Sequence, residues 1–222
     1  MSSLTSRRPV LCLVTDRARL KPAHGDELGP TRGLIRSAIA AGVDIVQVRE
    51  AGLTDRALGA LVALAVEASR GTSTRIVVND RVDIALAHGA DGVHLKGSSV
   101  PPSRVRDHVG DDWIVGRSIH GLDEGRTVTA AGGLDYVLLG TVFATASKPA
   151  GSPLGAAALR QAVAALPVPV LAIGGVTLER MPELAASGAA GAAAIGLFAD
   201  LAGIAPVKFS AALDALRGAW KG

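Results

Sequence analysis

Eight short apolar runs, none longer than six residues, recur along the chain, and each stops at polar residues or at glycine. Val10-Leu11-Cys12-Leu13-Val14 stops at Thr15-Asp16, and Pro169-Val170-Leu171-Ala172-Ile173 stops at Gly174-Gly175. The others are residues 44–49, 75–78, 91–95, 113–116, 135–139 and 192–195. Unbroken Val/Ile/Leu/Ala runs of this length are the pattern of parallel strands buried on both faces. Between them the apolar spacing changes to that of helices: Leu58, Leu61, Val62, Ala65 and Val66 follow i, i+3, i+4, behind the capping residue Thr54. Eight strands alternating with eight helices leave no surplus element for an open doubly wound sheet. The expected α/β fold is one closed (β/α)8 barrel spanning residues 1–222, with residues 1–8 disordered. Aromatic residues are only 3% of the chain, so small aliphatic side chains must fill its core.

The last two units constrain function most. Gly174-Gly175 follows one buried strand and Gly196 follows another that ends in Ile195, and each precedes a helical segment, the first with Thr177 as the expected cap of a helix running to Gly188. Amides at such turns converge on one spot, and in barrels of this kind the loops after strands 7 and 8 are the usual phosphate site. Gly174, Gly175, Ile195 and Gly196 are therefore the candidate phosphate-binding residues.

Polar residues at strand carboxyl ends should face the same site. They are Thr15, Gln47 with Arg49, Asn79 with Asp80, His94 with Lys96, Ser118 with His120, and Thr145, Ser147 and Lys148. The chain has five lysines, and two of them, Lys96 and Lys148, fall in these loops. Cations beside a phosphate cradle imply an anionic ligand with more than one phosphate-like group. Gln47 and Arg49 lie two apart on a strand and so face one way; an ion pair between Arg49 and an acid is the purely structural alternative. Asn79-Asp80 reads equally as a helix cap, with Asp83 as partner, or as a ligand or metal site. His94, between apolar neighbours, reads as a satisfied core histidine, whereas His120 lies past a strand end and reads as a site residue.

Other partners are excluded. A formal charge of +3 with no Lys/Arg run offers no nucleic-acid stripe. No apolar segment is long enough to span a bilayer. The single cysteine, Cys12, sits in an apolar run as a buried thiol, and no signal-peptide pattern opens the chain, so a cytoplasmic location is expected.

Ordered motifs run nearly end to end: Leu13-Val14-Thr15-Asp16, Val46-Gln47-Val48-Arg49-Glu50, Asn79-Asp80-Arg81-Val82-Asp83, Gly92-Val93-His94-Leu95, Gly116-Arg117-Ser118-Ile119-His120, Gly140-Thr141-Val142-Phe143-Ala144-Thr145-Ala146-Ser147-Lys148 and Ala172-Ile173-Gly174-Gly175-Val176. In this set the chain resembles the thiamin phosphate synthase and thiazole tautomerase (TenI-like) superfamily. For a synthase the resemblance implies an aminopyrimidine diphosphate that loses pyrophosphate, capture of the resulting cation by a thiazole phosphate, and assistance by Mg²⁺. Gln47, Arg49, Asn79 and Lys148 would contact the pyrimidine diphosphate, Ser118 the pyrimidine, and Thr145 and Ser147 the thiazole. Gly175 and Gly196 would hold the thiazole phosphate, and relatives of this type imply a homodimer.

Two positions depart from the synthase pattern: Ala51 stands where a lysine is expected, and Ser99 where a metal-binding aspartate is. Asp80 is then the one metal carboxylate left, and Lys96 can replace only the charge. These losses favour a thiazole tautomerase, an isomerase with no cofactor, in which His120 would be the acid/base that moves a proton to aromatise the ring. The synthase, a transferase, is the alternative, and a non-catalytic ligand-sensing relative the second.

Overall fold

A computed structural model of the chain describes residues 9–21, 25–145 and 152–221. Residues 1–8, expected to be disordered, lie outside the described residues. Strands β1 (Val10–Val14), β2 (Ile45–Val48), β3 (Arg75–Asn79), β4 (Gly92–Leu95), β5 (Ile114–Ile119), β6 (Tyr136–Gly140), β7 (Val170–Ile173) and β8 (Gly191–Ala194) pair in parallel, each with the next, and β8 closes on β1. The (β/α)8 barrel is as expected.

Side-chain alternation explains the unbroken apolar runs. Leu11, Leu13, Val46, Ile76, Val137, Leu139 and Ala172 face outward into one shell of buried residues shared with the helices. Their strand neighbours Val10, Cys12, Val14, Ile45, Val77, Leu138 and Leu171 face inward and fill the barrel. Cys12 is a fully buried thiol, whose ionisation burial pushes far above the usual range. The interior is tight enough to require glycine. A Cβ on Gly191 would lie 2.0 Å from the Val10 carbonyl oxygen.

The helices are α1 (Gly29–Ala40), α2 (Asp55–Ser69), α3 (Val82–Ala87), α4 (Pro102–Arg106), α5 (Leu122–Ala130), α6 (Gly155–Ala165), α7 (Met181–Ala186), α8 (Gly196–Ala199) and α9 (Pro206–Lys221). Thr54 caps α2, its hydroxyl accepting from Ala57 N–H at 3.3 Å. Two other caps are not made. Thr177 precedes a 3₁₀ turn at Leu178–Arg180 rather than the helix itself, and its side chain bonds Glu179 instead of a helix amide. Asp80 leaves α3 uncapped because its carboxylate turns to Lys96 and Ser99, while Asp83 pairs with Arg81. The helix expected to follow β8 is α9; α8 is an extra single turn inserted directly after Ile195.

Opposite the site, one device repeats three times. Asp44, Asp91 and Asp135 precede β2, β4 and β6, and each carboxylate accepts a backbone N–H of the preceding strand: Leu11 at 2.8 Å, Ile76 at 2.7 Å and Val115 at 2.8 Å. Each is also paired with an arginine: Arg217, Arg75 and Arg106 respectively. These charged latches fix strand register at the amino-terminal end, which leaves the carboxyl-end loops free to carry chemistry. No helix among the described residues is long and apolar enough to cross a membrane.

Candidate functional site

A cavity opens at the carboxyl end of the barrel, floored by Leu138, Ile173 and Ala193. Its walls include Gln47, Arg49, Asn79, Lys96, Ser118, His120, Thr145, Gly174, Gly175, Ile195 and Gly196. Eleven of the expected residues, from seven strands and their loops, thus meet in one space. Ser147 and Lys148 lie outside the described residues.

On one side is the glycine cradle. Gly174 and Gly175 have φ of 99° and 64°, in the left-handed region that favours glycine. A Cβ on Gly175 would also lie 2.6 Å from the Ala144 carbonyl oxygen, because the loop after β6 packs directly against it. Phe143 N–H donates to the Gly174 carbonyl at 3.1 Å and Val142 N–H to that of Ile173 at 2.9 Å, stitching the two loops together. Gly196 differs, since a Cβ there would meet only Arg19 Nη1, at 3.7 Å. Protein packing does not demand glycine at 196; it leaves room beside the first amides of α8, which have no intrahelical acceptor. Arg19 is a cation that sequence reasoning missed. It lies in a segment with no periodicity, and nothing but the fold brings it to Gly196.

Across the ring, β2 to β5 supply side chains. Gln47 is 2% exposed; its Nε2 donates to Asn79 Oδ1 at 3.0 Å, while its Oε1 is buried with no partner among the described residues. A buried amide oxygen without a donor is costly in the free protein and marks a place for one from a ligand. Arg49 is held by its backbone, whose N–H donates to Thr15 Oγ1 at 2.9 Å. Its guanidinium forms an ion pair with Asp16 Oδ2 at 3.9 Å, too long for a hydrogen bond, and still lines the cavity.

Lys96 Nζ lies 2.5 Å from Asp80 Oδ2, and Ser99 Oγ donates to Asp80 Oδ1. Partial burial raises the Asp80 carboxyl, but the hydrogen bonds from Lys96 and Ser99 and the lysine charge outweigh it and hold the group below the usual carboxylate range. Asp80 has φ of 65°, which turns its side chain back toward the β4 loop. Arg117 points away from the cavity and pins that same loop through the carbonyls of Gly97 at 2.6 Å and Val100 at 3.1 Å. No group of three or more His, Cys, Asp or Glu suited to a metal occurs among the described residues. One carboxylate with a hydroxyl beside it still fits Mg²⁺, which keeps waters and substrate phosphates as most of its ligands.

His94 is buried and satisfied, as expected of a core histidine: Nδ1 lies 3.0 Å from Tyr136 Oη and Nε2 lies 2.8 Å from Ser118 Oγ. Burial pushes its pKa down to about 3, despite the Asp80 charge, so the ring is neutral at physiological pH. His120 is different. Its side chain is 57% exposed, and Glu124, in the first turn of α5, accepts from its backbone N–H at 2.7 Å and lies 3.3 Å from its Nδ1.

Comparison with known proteins places this geometry. The family model described as "Thiamine monophosphate synthase" matches residues 4–198. A "Putative thiamine-phosphate synthase" of Geobacter sulfurreducens is 39% identical over 186 residues, covering 83% of this chain and 84% of that protein. A "Thiamine-phosphate synthase" of Moorella thermoacetica is 38% identical over 177 residues, covering 79% and 84%. Among solved structures, a thiamine phosphate pyrophosphorylase from Pyrococcus furiosus superposes with a TM-score of 0.78 at 29% identity, covering 96% of each chain.

These relatives overturn the expectation of a tautomerase, because they are named for the synthase. Ala51 and Ser99 are not isolated losses. In the fold, Ser99 still holds Asp80, Lys96 lines the cavity, and Arg17 Nη1 sits 2.6 Å from the Ala51 carbonyl oxygen. The catalytic acid/base role expected of His120 goes with the tautomerase.

Proposed function

The chain belongs to the thiamine monophosphate synthase family, and from that membership we propose that it joins an aminopyrimidine diphosphate to a thiazole phosphate, giving thiamin phosphate and pyrophosphate. The carrying observation is a single cavity with anion-binding groups from different parts of the barrel ring, the glycine turns after β7 and β8 together with Arg49 and Lys96, which follow β2 and β4. A ligand pair with a phosphate at one end and a diphosphate at the other matches that layout. Gln47, which lines the same cavity, has an Oε1 with no donor among the described residues and would accept from an N–H such as an exocyclic amino group.

In this reaction the bond between the pyrimidine methylene and the diphosphate oxygen breaks, and its electron pair leaves on pyrophosphate. The thiazole ring nitrogen then donates its lone pair to the methylene carbon, forming the new C–N bond. Arg49 and Lys96 stabilise the departing negative charge, while Gly175 and Gly196 fix the thiazole phosphate through backbone amides. Thr145 lines the cavity on the thiazole side, and Gln47 and Ser118 orient the pyrimidine. Mg²⁺, when bound, would be held by Asp80 with Ser99 beside it and would neutralise diphosphate charge. His120 has no proton to transfer in this chemistry and serves at most as a wall of the cavity. A cytoplasmic homodimer belongs to the same reading.

Isothermal titration tests the two-ended site. Pyrophosphate with Mg²⁺ and thiazole phosphate should each bind, and saturation with one should leave the other's site open. Mutual exclusion would contradict the layout.

A further inference from the structure

We propose that Tyr136 and His94 form a fixed relay that makes the Ser118 hydroxyl an obligate hydrogen-bond donor into the cavity, so the ligand atom it meets must be an acceptor, such as an unprotonated ring nitrogen. Register creates the relay. His94 on β4 pairs with Gly116 on β5, and Gly116 pairs with Tyr136 on β6, so the three lie at one level of the barrel. Gly116 is the gap through which the phenol passes. A Cβ there would lie 2.2 Å from Tyr136 Cζ and 2.5 Å from its Oη. The phenol therefore crosses β5 and reaches Nδ1 of His94, while Nε2 of the same ring meets Ser118, two residues along β5 from the glycine.

Counting hydrogens assigns the direction. A neutral imidazole carries one N–H, and two arrangements satisfy both distances. If Nδ1 carried it, the ring would donate to Tyr136 Oη and accept from Ser118. The phenolic hydrogen would then be orphaned in a site where Tyr136 is 1% exposed and His94 is its hydrogen-bond partner among the described residues. Burying an unpaired donor is unfavourable. If Nε2 carries it, Tyr136 O–H donates to Nδ1, Nε2–H donates to Ser118 Oγ, and no buried hydrogen is left over. Ser118 has then accepted from the protein and keeps its own hydrogen for the cavity that it lines. Burial holds the ring neutral, so protonation does not reverse the relay near neutral pH. His94 and Tyr136 are positioning residues that act through Ser118.

The identity of the ring rests on the synthase reading, but the tautomer does not. Long-range ¹H–¹⁵N correlation of protein labelled at its histidines reads the tautomer directly, with the His94 signals identified by their loss in His94→Gln. Protonated Nε2 and bare Nδ1 are expected; protonated Nδ1 would overturn the relay. Tyr136→Phe and Ser118→Ala should each weaken binding of the aminopyrimidine diphosphate about tenfold, the cost of one hydrogen bond. Tyr136→Phe should add nothing once Ser118 is alanine, and full additivity would contradict action through Ser118. If the wild-type protein does not bind this diphosphate, the synthase reading falls, and the imidazole spectrum still decides the relay.

Discussion

Gln47 donates its Nε2–H to Asn79 Oδ1 at 3.0 Å, and its Oε1 is buried with no donor among the described residues, on a side chain that lines the cavity. The protein alone gains little from this arrangement. Gln47→Met keeps the volume, removes the orphaned acceptor and sacrifices one hydrogen bond. Its effect on stability should stay within about 1 kcal/mol, as the two changes oppose each other. The KM for the aminopyrimidine diphosphate should rise about tenfold or more, while thiazole phosphate affinity is unchanged. Thermal unfolding and steady-state kinetics separate the two effects.

The cradle glycines should fail in different ways. Gly175→Ala forces a side chain into φ of 64° and against the Ala144 carbonyl, so it should destabilise the fold by about 2 kcal/mol or more. Gly196→Ala meets only Arg19 at 3.7 Å and should fold normally, yet lose about tenfold in thiazole phosphate affinity by filling ligand space. Denaturant melts and phosphate titrations of both variants check the contrast.

His94 gives the stability a defined pH dependence. Its pKa is near 6.5 when exposed and falls to about 3 when buried, so between those values the unfolded chain binds the proton and the native protein does not. Its contribution is complete above pH 6.5 and is lost as the pH falls toward 3, by at most about 1.4 kcal/mol per pH unit. His94→Gln should flatten that slope. Urea melts of wild type and variant across the range measure it.

The amino-terminal latches should matter to stability and not to chemistry. Asp135→Ala removes the acceptor of Val115 N–H at 2.8 Å and the partner of Arg106 at 2.6 Å, both poorly exposed. A loss of about 2–4 kcal/mol is expected, because a half-buried guanidinium is left unpaired. The kcat of the remaining folded protein should be unchanged, since the site is at the opposite end of the barrel. A melt and an activity assay below the melting range test this.

The barrel was legible because alternation at periods of 2 and 3.6 is a property of contiguous residues, and so were Gln47, Arg49, Ser118 and the glycine turns, which sit at strand ends. What escaped was set by register between strands. Nothing local to Tyr136 says that Gly116 opens a path to His94, and Asp44, Asp91 and Asp135 read only as the polar first residues of strands until their neighbours' amides are placed. Asp80 and Thr177 have the chemistry of caps, but Lys96 and Ser99 took the first side chain and Glu179, two residues on, the second. The leaning toward a tautomerase failed for a related reason. Ala51 and Ser99 are single positions, whereas the charge around a ligand depends on every cation near the cavity, and Lys96 and Arg19 reach it or its edge from other loops.

The most direct test of the synthase account is to mix the purified protein with the aminopyrimidine diphosphate, thiazole phosphate and Mg²⁺, and to follow both products. Thiamin phosphate and pyrophosphate should appear in equal amounts, and neither should form when the thiazole phosphate is omitted. Pyrophosphate released without thiamin phosphate, or no turnover with both substrates bound, would contradict it.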